Sequence, residues 1–323
     1  MRLFRFLILI FSLLIGVIAS SAENAPLLKK KVYDYGKKPV QNLVKTRNRI
    51  TDGVKRFSSG IDSFFAAERS EAESNKSHIK LRVQSIFEQY EKADLDLKIT
   101  GRLSLPRTEE RLQLIVESED ENNIDSGDAQ VNNPNEDAEE NTTSAGLRYF
   151  LDNNDRNFKW NIDGGIRIDS GVDPFIGTRF RKSYFHDAWE FRFVETVEWV
   201  DSTGVSAKSE YIMDRPFAGR FLFRQYNGAR WREINDTITM YHSYNIIHQF
   251  KKKQAISYQI GMQGLNRPAL FAETYYASVS FRALIYKNWL YMTLQPGYIY
   301  RKEDQFRQRR QLLLLFDVFF GDP

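Results

Sequence analysis

The sequence has 323 residues, a formal net charge of +4, a mean hydropathy of −0.50 and no cysteine. A chain without cysteine can form no disulfide and offers no thiolate, and a nearly balanced charge gives no reason to expect nucleic acid as a partner. Aromatic residues nevertheless make up 14% of the chain, and a predicted fold has to account for this high fraction.

The N-terminus has the layout of a secretory signal peptide. Arg2 and Arg5 precede an apolar run over residues 6–17, and the small residue Ala22 marks the expected cleavage site. The apolar run of about 12 residues is shorter than the roughly 20 that a helix needs to cross a bilayer. We therefore predict a cleaved signal over residues 1–22. Its two arginines leave with it, which lowers the formal charge from +4 to +2.

Residues 23–78 differ from the rest of the chain in composition and in the spacing of their apolar residues. A lysine-rich lead-in is followed by apolar residues spaced four, three, four and three apart, which is one face of an amphipathic helix. The members of this face are Ile50, Val54, Phe57, Ile61 and Phe64. Lysine and arginine are frequent between Lys29 and Arg56, so the segment is basic. It is expected to contact a partner or a membrane surface, with entry into a pore as the alternative.

From about residue 79 the hydrophobic period becomes two, which predicts β-strands. In residues 94–105, for example, leucine and isoleucine alternate with charged side chains. We predict fourteen strands, at about 79–87, 93–105, 110–118, 143–152, 157–169, 174–184, 187–201, 204–214, 216–227, 234–249, 254–264, 271–285, 288–300 and 309–320. Most of them reach the roughly 9 to 11 residues that a tilted strand needs to cross a bilayer.

The connections between these strands alternate in length. Every second one is tight, as at 106–110 and 286–288, and the others include the longest, the acidic loop 117–142. This loop holds many carboxylates and neither lysine nor arginine. It is expected to be a solvated surface loop or, outside the cell, to share divalent ions with lipid phosphates. Short turns on one side and long loops on the other are typical of a transmembrane barrel.

A closed membrane barrel explains the strand pattern better than a soluble sandwich does. A sandwich buries its apolar face in a finite core, whereas almost every strand here carries a row of large apolar or aromatic residues. Lipid can cover such rows around a closed sheet. Aromatic residues near predicted strand ends fit interfacial belts, namely Trp189, Trp199, Trp231 and Trp289. We predict an all-β antiparallel transmembrane barrel over residues 79–320 with 12–14 strands, 14 being favoured.

The last strand adds a further indication. Leu312, Leu314, Phe316, Val318 and Phe320 alternate on one of its faces. This strand, with its final aromatic residue, resembles the closing strand of Gram-negative outer-membrane β-barrel proteins, although a Gly-Asp-Pro tripeptide follows it. The resemblance implies the bacterial outer membrane as location, outer-membrane lipid and lipopolysaccharide as surroundings, and the barrel-insertion machinery as a partner.

Charged side chains of both signs recur opposite the apolar rows. As candidates to line the lumen and meet a solute we select Arg167, Arg192, Arg220, Arg224, Arg282, Glu190, Glu198 and Glu210. Such charges can select ions or bind anionic solutes, but they can equally pair with one another across neighbouring strands. Glu195 falls in the apolar row of its own strand, so a β-bulge is expected there.

No residue pattern in the sequence predicts catalysis. His242 and Ser243 have the side chains of a hydrolase site, but adjacent residues of a strand point to opposite faces, so the imidazole cannot activate the hydroxyl. The other histidines are scattered without metal-ligand spacing. We therefore expect no enzymatic activity, no metal and no cofactor.

These patterns favour a channel for small or anionic solutes. The alternative is a non-conducting envelope interaction or assembly protein that recruits a periplasmic partner through its N-terminal helix. A lipid-modifying enzyme is the third possibility. The fold by itself does not decide among them.

Overall fold

The computed structural model describes residues 77–105, 111–119, 142–151, 157–168, 171–267 and 269–321. Within these ranges, no helix has the length and apolar character needed to cross a membrane. The predicted signal peptide, the basic lead-in, the N-terminal helix and most of the acidic loop lie outside the described residues.

The described residues form fourteen β-strands. They are β1 (His78–Glu88), β2 (Asp94–Ser104), β3 (Leu112–Glu119), β4 (Thr142–Phe150), β5 (Phe158–Ile168), β6 (Val172–His186), β7 (Trp189–Val200), β8 (Gly204–Phe217), β9 (Phe221–Arg232), β10 (Thr237–Lys251), β11 (Gln254–Leu265), β12 (Phe271–Tyr286), β13 (Leu290–Arg301) and β14 (Gln308–Gly321). Most boundaries fall close to the predicted ones, because the period-two pattern persists through each strand.

The strands form one closed antiparallel barrel. Each strand pairs with its neighbours in sequence, and β1 pairs with β14 to complete the ring. At this closure His78 lies opposite Gly321, and Glu88 lies opposite Gln311. Closure gives every described strand a partner on both sides, which removes the exposed edges of an open sheet. The all-β barrel prediction, with its favoured count of fourteen, is confirmed.

Alternation along each strand divides the side chains between an outer and an inner face. In β5 the outward-pointing Ile162 and Ile166 are exposed, whereas Asn161 and Arg167, each adjacent to one of them, are buried on the inside. The same division holds along β11, where Tyr258, Ile260 and Met262 are exposed and Ser257, Gln259 and Gln263 are buried. The predicted assignment of apolar and polar faces is therefore confirmed in these strands.

The two ends of the barrel differ. At one end, which we call the turn end, the connections include 187–188, 218–220, 252–253 and 287–289, and both β1 begins and β14 ends there. The opposite end, the loop end, holds the longest connection, 120–141. The shortest turns and the longest loop thus lie at opposite ends, as the alternation of connection lengths predicted.

Tryptophans mark both ends of the barrel wall. Trp189 and Trp289 lie at the turn end, and Trp199 and Trp231 lie near the loop end. Their positions near strand ends agree with the prediction. Amphipathic indole rings suit the boundary between an apolar and an aqueous layer.

One turn was predicted at the wrong place. The sequence suggested a turn at residues 214–216, whereas β8 continues to Phe217 and the turn occupies residues 218–220. Ala218 and Gly219 have positive φ angles of 48° and 71°, and a tight turn with such angles is favourable at glycine. Arg220, predicted to face the lumen, therefore lies exposed in the turn.

The β-bulge predicted at Glu195 is also wrong. Glu195 lies opposite Phe180 on one side and Ser209 on the other, and both registers continue without a shift. Ser209 Oγ donates a hydrogen bond of 2.6 Å to the Glu195 carboxylate. This contact gives the carboxylate a polar partner on the outer face, so the strand keeps its regular register.

Candidate functional site

The inner face of the barrel is the candidate functional site, because the polar side chains of the strands converge there. Directly opposed residues share a face, so the register shows which side chains point inward. We call the inner face of β4 to β9 the charged wall. Its basic members are Arg148, Lys159, Arg167, Arg179, Arg181, Arg192, Lys208, Arg224, Arg230 and Arg232. Its acidic members are Asp163, Asp173, Glu190, Glu198, Glu210 and Asp214, fewer than the basic ones.

Asp214 is the centre of a buried cluster in the charged wall. Arg224 on β9 donates to its carboxylate from Nε at 2.7 Å and from Nη2 at 2.8 Å. Arg192 on β7 donates from Nη2 at 3.0 Å and also contacts Glu190 at 3.4 Å. Asp214 is 0% exposed, and two guanidinium groups offset the desolvation of its charge. We call these four residues the Asp214 cluster.

Further ion pairs lie within the charged wall, between β4 and β5, between β5 and β7, and along β8. They are Arg148–Asp163 at 2.7 Å, Arg167–Glu198 at 2.6 Å and Lys208–Glu210 at 3.2 Å. Tyr226 also donates its hydroxyl to Glu210 at 2.9 Å. The predicted lumen residues Arg167, Glu198 and Glu210 therefore contact other side chains of the wall, as expected if the charges pair with one another.

A second buried cluster lies where the barrel closes. Asp317 on β14 accepts from Arg82 Nε on β1 at 2.7 Å and pairs with Arg282 Nη1 on β12 at 2.7 Å. Asp317 is 0% exposed. Arg282 also donates to Thr293 Oγ1 at 2.8 Å. We call Arg82, Arg282 and Asp317 the Asp317 cluster. It explains why the last strand carries a carboxylate opposite its apolar row.

The loop end of the closure has its own ionic contacts. Arg301 Nη2 on β13 donates to Glu88 Oε2 on β1 at 2.7 Å, and Gln311 on β14 donates to the same oxygen at 3.3 Å. Arg309 contacts Glu88 at 3.5 Å and Asp304 by a shorter ion pair. Strands β13, β14 and β1 are thus linked by side chains as well as by their backbone ladder.

The inner face of β10 to β13 has a different chemistry, and we call it the neutral wall. Its polar groups are mostly hydroxyls and amides, including Ser243, Asn245, Ser257, Gln259, Gln263, Ser278, Ser280, Thr293 and Gln295. Ser257 Oγ, for example, donates to Asn245 Oδ1 at 2.8 Å. Such groups can both donate and accept hydrogen bonds without adding charge.

Apolar side chains form a third inner surface near the turn end. Leu222, Ile247 and Ala255 pack together with Tyr291 against them, and the Phe319 ring lies 5.6 Å from that of Tyr291. These five residues, on β9, β10, β11, β13 and β14, lie close to turn-end connections or to the end of β14. We call them the apolar arc. The sequence pattern predicts charged side chains on the inner face and does not predict this apolar surface.

Seven of the eight predicted lumen residues lie on the inner face, and Arg220 is the exception. The structure brings Glu190, Arg192 and Arg224 together and pairs Arg167 with Glu198. It also shows residues that the prediction missed, above all Asp214, which had been placed in a turn. The available signal was that Glu210, Ile212 and Asp214 fall on one face of a continuous β8. Glu117, counted with the acidic loop, lies in β3 and accepts from Arg102 at 2.7 Å.

His242 and Ser243 lie on opposite faces of β10, as predicted. His242 Nδ1 is 2.6 Å from Asn227 Oδ1 on the outer face, and Ser243 lies opposite Tyr226 on the inner face. The imidazole therefore cannot reach the neighbouring hydroxyl within this strand. Among the residues that the structure describes, no group of three or more histidine and carboxylate side chains is arranged to hold a metal ion.

The predicted helix face at Ile50, Val54, Phe57, Ile61 and Phe64 lies outside the described residues. Its expected role toward a periplasmic partner therefore stays a prediction.

Comparison with known proteins leaves the family open. No family model and no curated protein matches the chain. Among solved structures, it is similar to a bacterial polysaccharide outer membrane secretin, with 9% identity over 77% of this chain and 99% of the other and a TM-score of 0.45. It is also similar to the outer membrane channel DcaP of Acinetobacter baumannii, with 8% identity over 76% and 96% of the two chains and a TM-score of 0.42. Scores and identities this low carry no argument about function, so the proposal below depends on the barrel itself.

Proposed function

We propose that the protein is a channel of the bacterial outer membrane that passes small solutes, with a preference for anions. The observation that supports this most is the division of the closed barrel into an apolar outer face and a polar inner face. A barrel that folds in water would instead carry polar side chains on its outer face. Hydrocarbon can cover the exposed isoleucine, leucine, tyrosine and phenylalanine side chains of the outer face.

The size of the barrel supports a channel. Strands spaced by about 4.8 Å and tilted by about 40° give fourteen strands a backbone diameter of roughly 28 Å. A barrel of about 8 strands is just filled by its own side chains, and one of 16–18 strands encloses an aqueous passage. A fourteen-stranded barrel is closer to the second case. Its interior is wide enough for a small solute or for another segment of polypeptide.

The preference for anions follows from the charged wall. Its basic members outnumber its acidic ones, and Arg230 and Arg232 lie at the loop end of β9, where a solute would enter from outside. Because each ion pair within the wall is neutral overall, the basic residues in excess give the wall a net positive charge. We therefore expect a modest selectivity for anions over cations. The neutral wall would offer hydrogen bonds to the solute without opposing this field.

Planar-bilayer recordings of the refolded full-length protein, and of a shortened chain that begins at Ser77, test the proposal. We expect discrete current steps from at least one form, with a reversal potential in a salt gradient that indicates anion preference. Replacement of Arg230 and Arg232 by glutamine should reduce that preference. Thr239→Val, which changes a neutral inward residue directly opposite Arg230, is the matched control and should leave the reversal potential unchanged.

The outcome that would remove the proposal is equally defined. If both forms insert, show the mobility of a folded barrel on an unheated gel and stay electrically silent, the protein is not a channel. Recovery of the tagged protein in a fraction other than the outer membrane would contradict the location. The predicted contacts with lipopolysaccharide, and of the acidic loop with divalent ions, are part of the same proposal.

A further inference from the structure

The apolar arc is a mostly buried apolar surface on the inner face of the barrel. Leu222, Ile247 and Ala255 are each 0% exposed, although they point toward the axis of the barrel. Tyr291, which packs against these three residues, is only partly buried, so the arc presents apolar surface to the interior of the barrel.

We propose that the apolar arc is the docking site of residues 50–64 of the same chain, and that this segment lies in the lumen at the turn end. The segment has the complementary surface, since its apolar row consists of Ile50, Val54, Phe57, Ile61 and Phe64. Apolar surface on both sides would leave water on contact, which is the main favourable contribution to such docking.

The path of the chain places this segment at the right end. β1 begins at His78, which lies opposite Gly321 at the turn end, where the apolar arc also lies. The 13 residues from Phe64 to Ser77 can span at most roughly 43 Å at about 3.3 Å per residue. This reach exceeds the roughly 28 Å diameter of the barrel, so the segment can turn back and enter the lumen.

The dimensions of the segment also fit. A helix over residues 50–64 would be about 22 Å long and about 10–12 Å across with its side chains. The lumen can hold one such helix beside its inward side chains. An apolar helix face would not suit a uniformly charged lumen. The apolar arc offers such a helix an apolar surface near the chain entry, and the adjoining Arg282 and Asp317 are buried and paired with each other.

Cysteine pairs in the full-length protein test the inference, because the natural chain has no cysteine and no native thiol competes with an introduced pair. Phe57→Cys or Ile61→Cys is combined with Ala255→Cys on the inner face. The matched control is Ile256→Cys, one residue along β11 on the outer face. A disulfide needs Cα atoms about 4.4–6.8 Å apart. After oxidation of the refolded protein and cleavage between the two positions, we expect a several-fold higher yield of joined fragments with Ala255→Cys than with Ile256→Cys.

Equal yields at the inner and outer positions would overturn the inference. It would also be overturned if cysteines at positions 57 and 61 formed adducts only with other proteins in oxidised cells, which would assign the segment to a periplasmic partner. If Ala255→Cys does not fold, Leu222→Cys with Phe223→Cys as its outward control gives the same comparison. The crosslinking result does not depend on current through the barrel, so its failure is distinguishable from the failure of the proposed channel.

Discussion

Asp214 and Asp317 have nearly the same surroundings but different positions in the fold. Each is a fully buried carboxylate on the inner face, and each lies between two arginines from different strands. Arg224 and Arg192 are 10 and 22 residues from Asp214 in sequence, whereas Arg82 is 235 residues from Asp317.

This difference shows that one chemical arrangement serves two purposes. Around Asp214 it strengthens two consecutive hairpins, whose strands would be neighbours in any case. Around Asp317 it holds together the first and last parts of the barrel, which no short connection brings together. Substitutions at the two positions should therefore differ in effect, and the predictions below test that expectation.

Asp317→Asn should have the largest effect. The substitution removes the only carboxylate of the Asp317 cluster and leaves Arg82 and Arg282 facing each other. Removing one partner of a buried ion pair costs about 3–5 kcal/mol. We expect the free energy of unfolding to fall by this amount in urea titrations of the refolded barrel, followed by tryptophan fluorescence. A loss below about 1 kcal/mol, the size of an ordinary substitution, would show that Asp317 does not support closure.

Asp214→Asn should have a smaller effect in the same titration. Arg192 keeps its contact with Glu190, so one of the two guanidinium groups retains an acidic partner. We expect a loss of about 2–3 kcal/mol, in the range of hydrogen bonds to charged groups. If Asp214→Asn proved more damaging than Asp317→Asn, the proposed difference between a local and a closing cluster would be incorrect.

Glu88→Gln tests the closure at the loop end. The amide oxygen can still accept one hydrogen bond from Arg301, but the charge that Arg301 and Arg309 share is lost. A loss of about 1.5 kcal/mol is expected. Combined with Asp317→Asn in a double-mutant cycle, it should show coupling if both clusters support the same closure, and simple additivity if they act independently.

Glu195→Leu should have the smallest effect and the opposite sign. Glu195 is a carboxylate of the outer face whose partner is the Ser209 hydroxyl instead of arginine, and a charge facing lipid is unfavourable. We expect a gain of about 1 kcal/mol in vesicles. Ser209→Ala should destabilise the parent protein, yet have little effect beside leucine at position 195. A destabilising Glu195→Leu would mean that the outer face at this level does not meet hydrocarbon.

Much of the fold could be predicted because a strand with an apolar and a polar face alternates apolar and polar side chains throughout its length. The misplaced turn shows the limit of this reasoning. Pro216 is a usual turn residue, but here it pairs with Leu222 one step from the true turn, where the missing backbone donor has little effect. Local sequence could not distinguish these two positions.

Less of the candidate site could be predicted. The sequence showed that Arg192, Arg224 and Asp317 would point inward, but not which charge each would meet. Partners such as Arg82 and Asp317 are opposed only after the ring closes. The apolar arc had a visible signal, since Ile247 follows Ile246 and breaks the alternation. A single doublet, however, does not indicate that five strands contribute apolar side chains at the same height.

The pairing of β1 with β14 also sets the order in which the protein can be made. Arg82 on β1 and Asp317 on β14 are 235 residues apart in sequence, so β1 keeps one unpaired edge until β14 reaches it. Contacts between such distant segments form slowly, and open edges are sites of aggregation. A chain that closes in this way needs protection from aggregation until β14, residues Gln308–Gly321, has paired with β1.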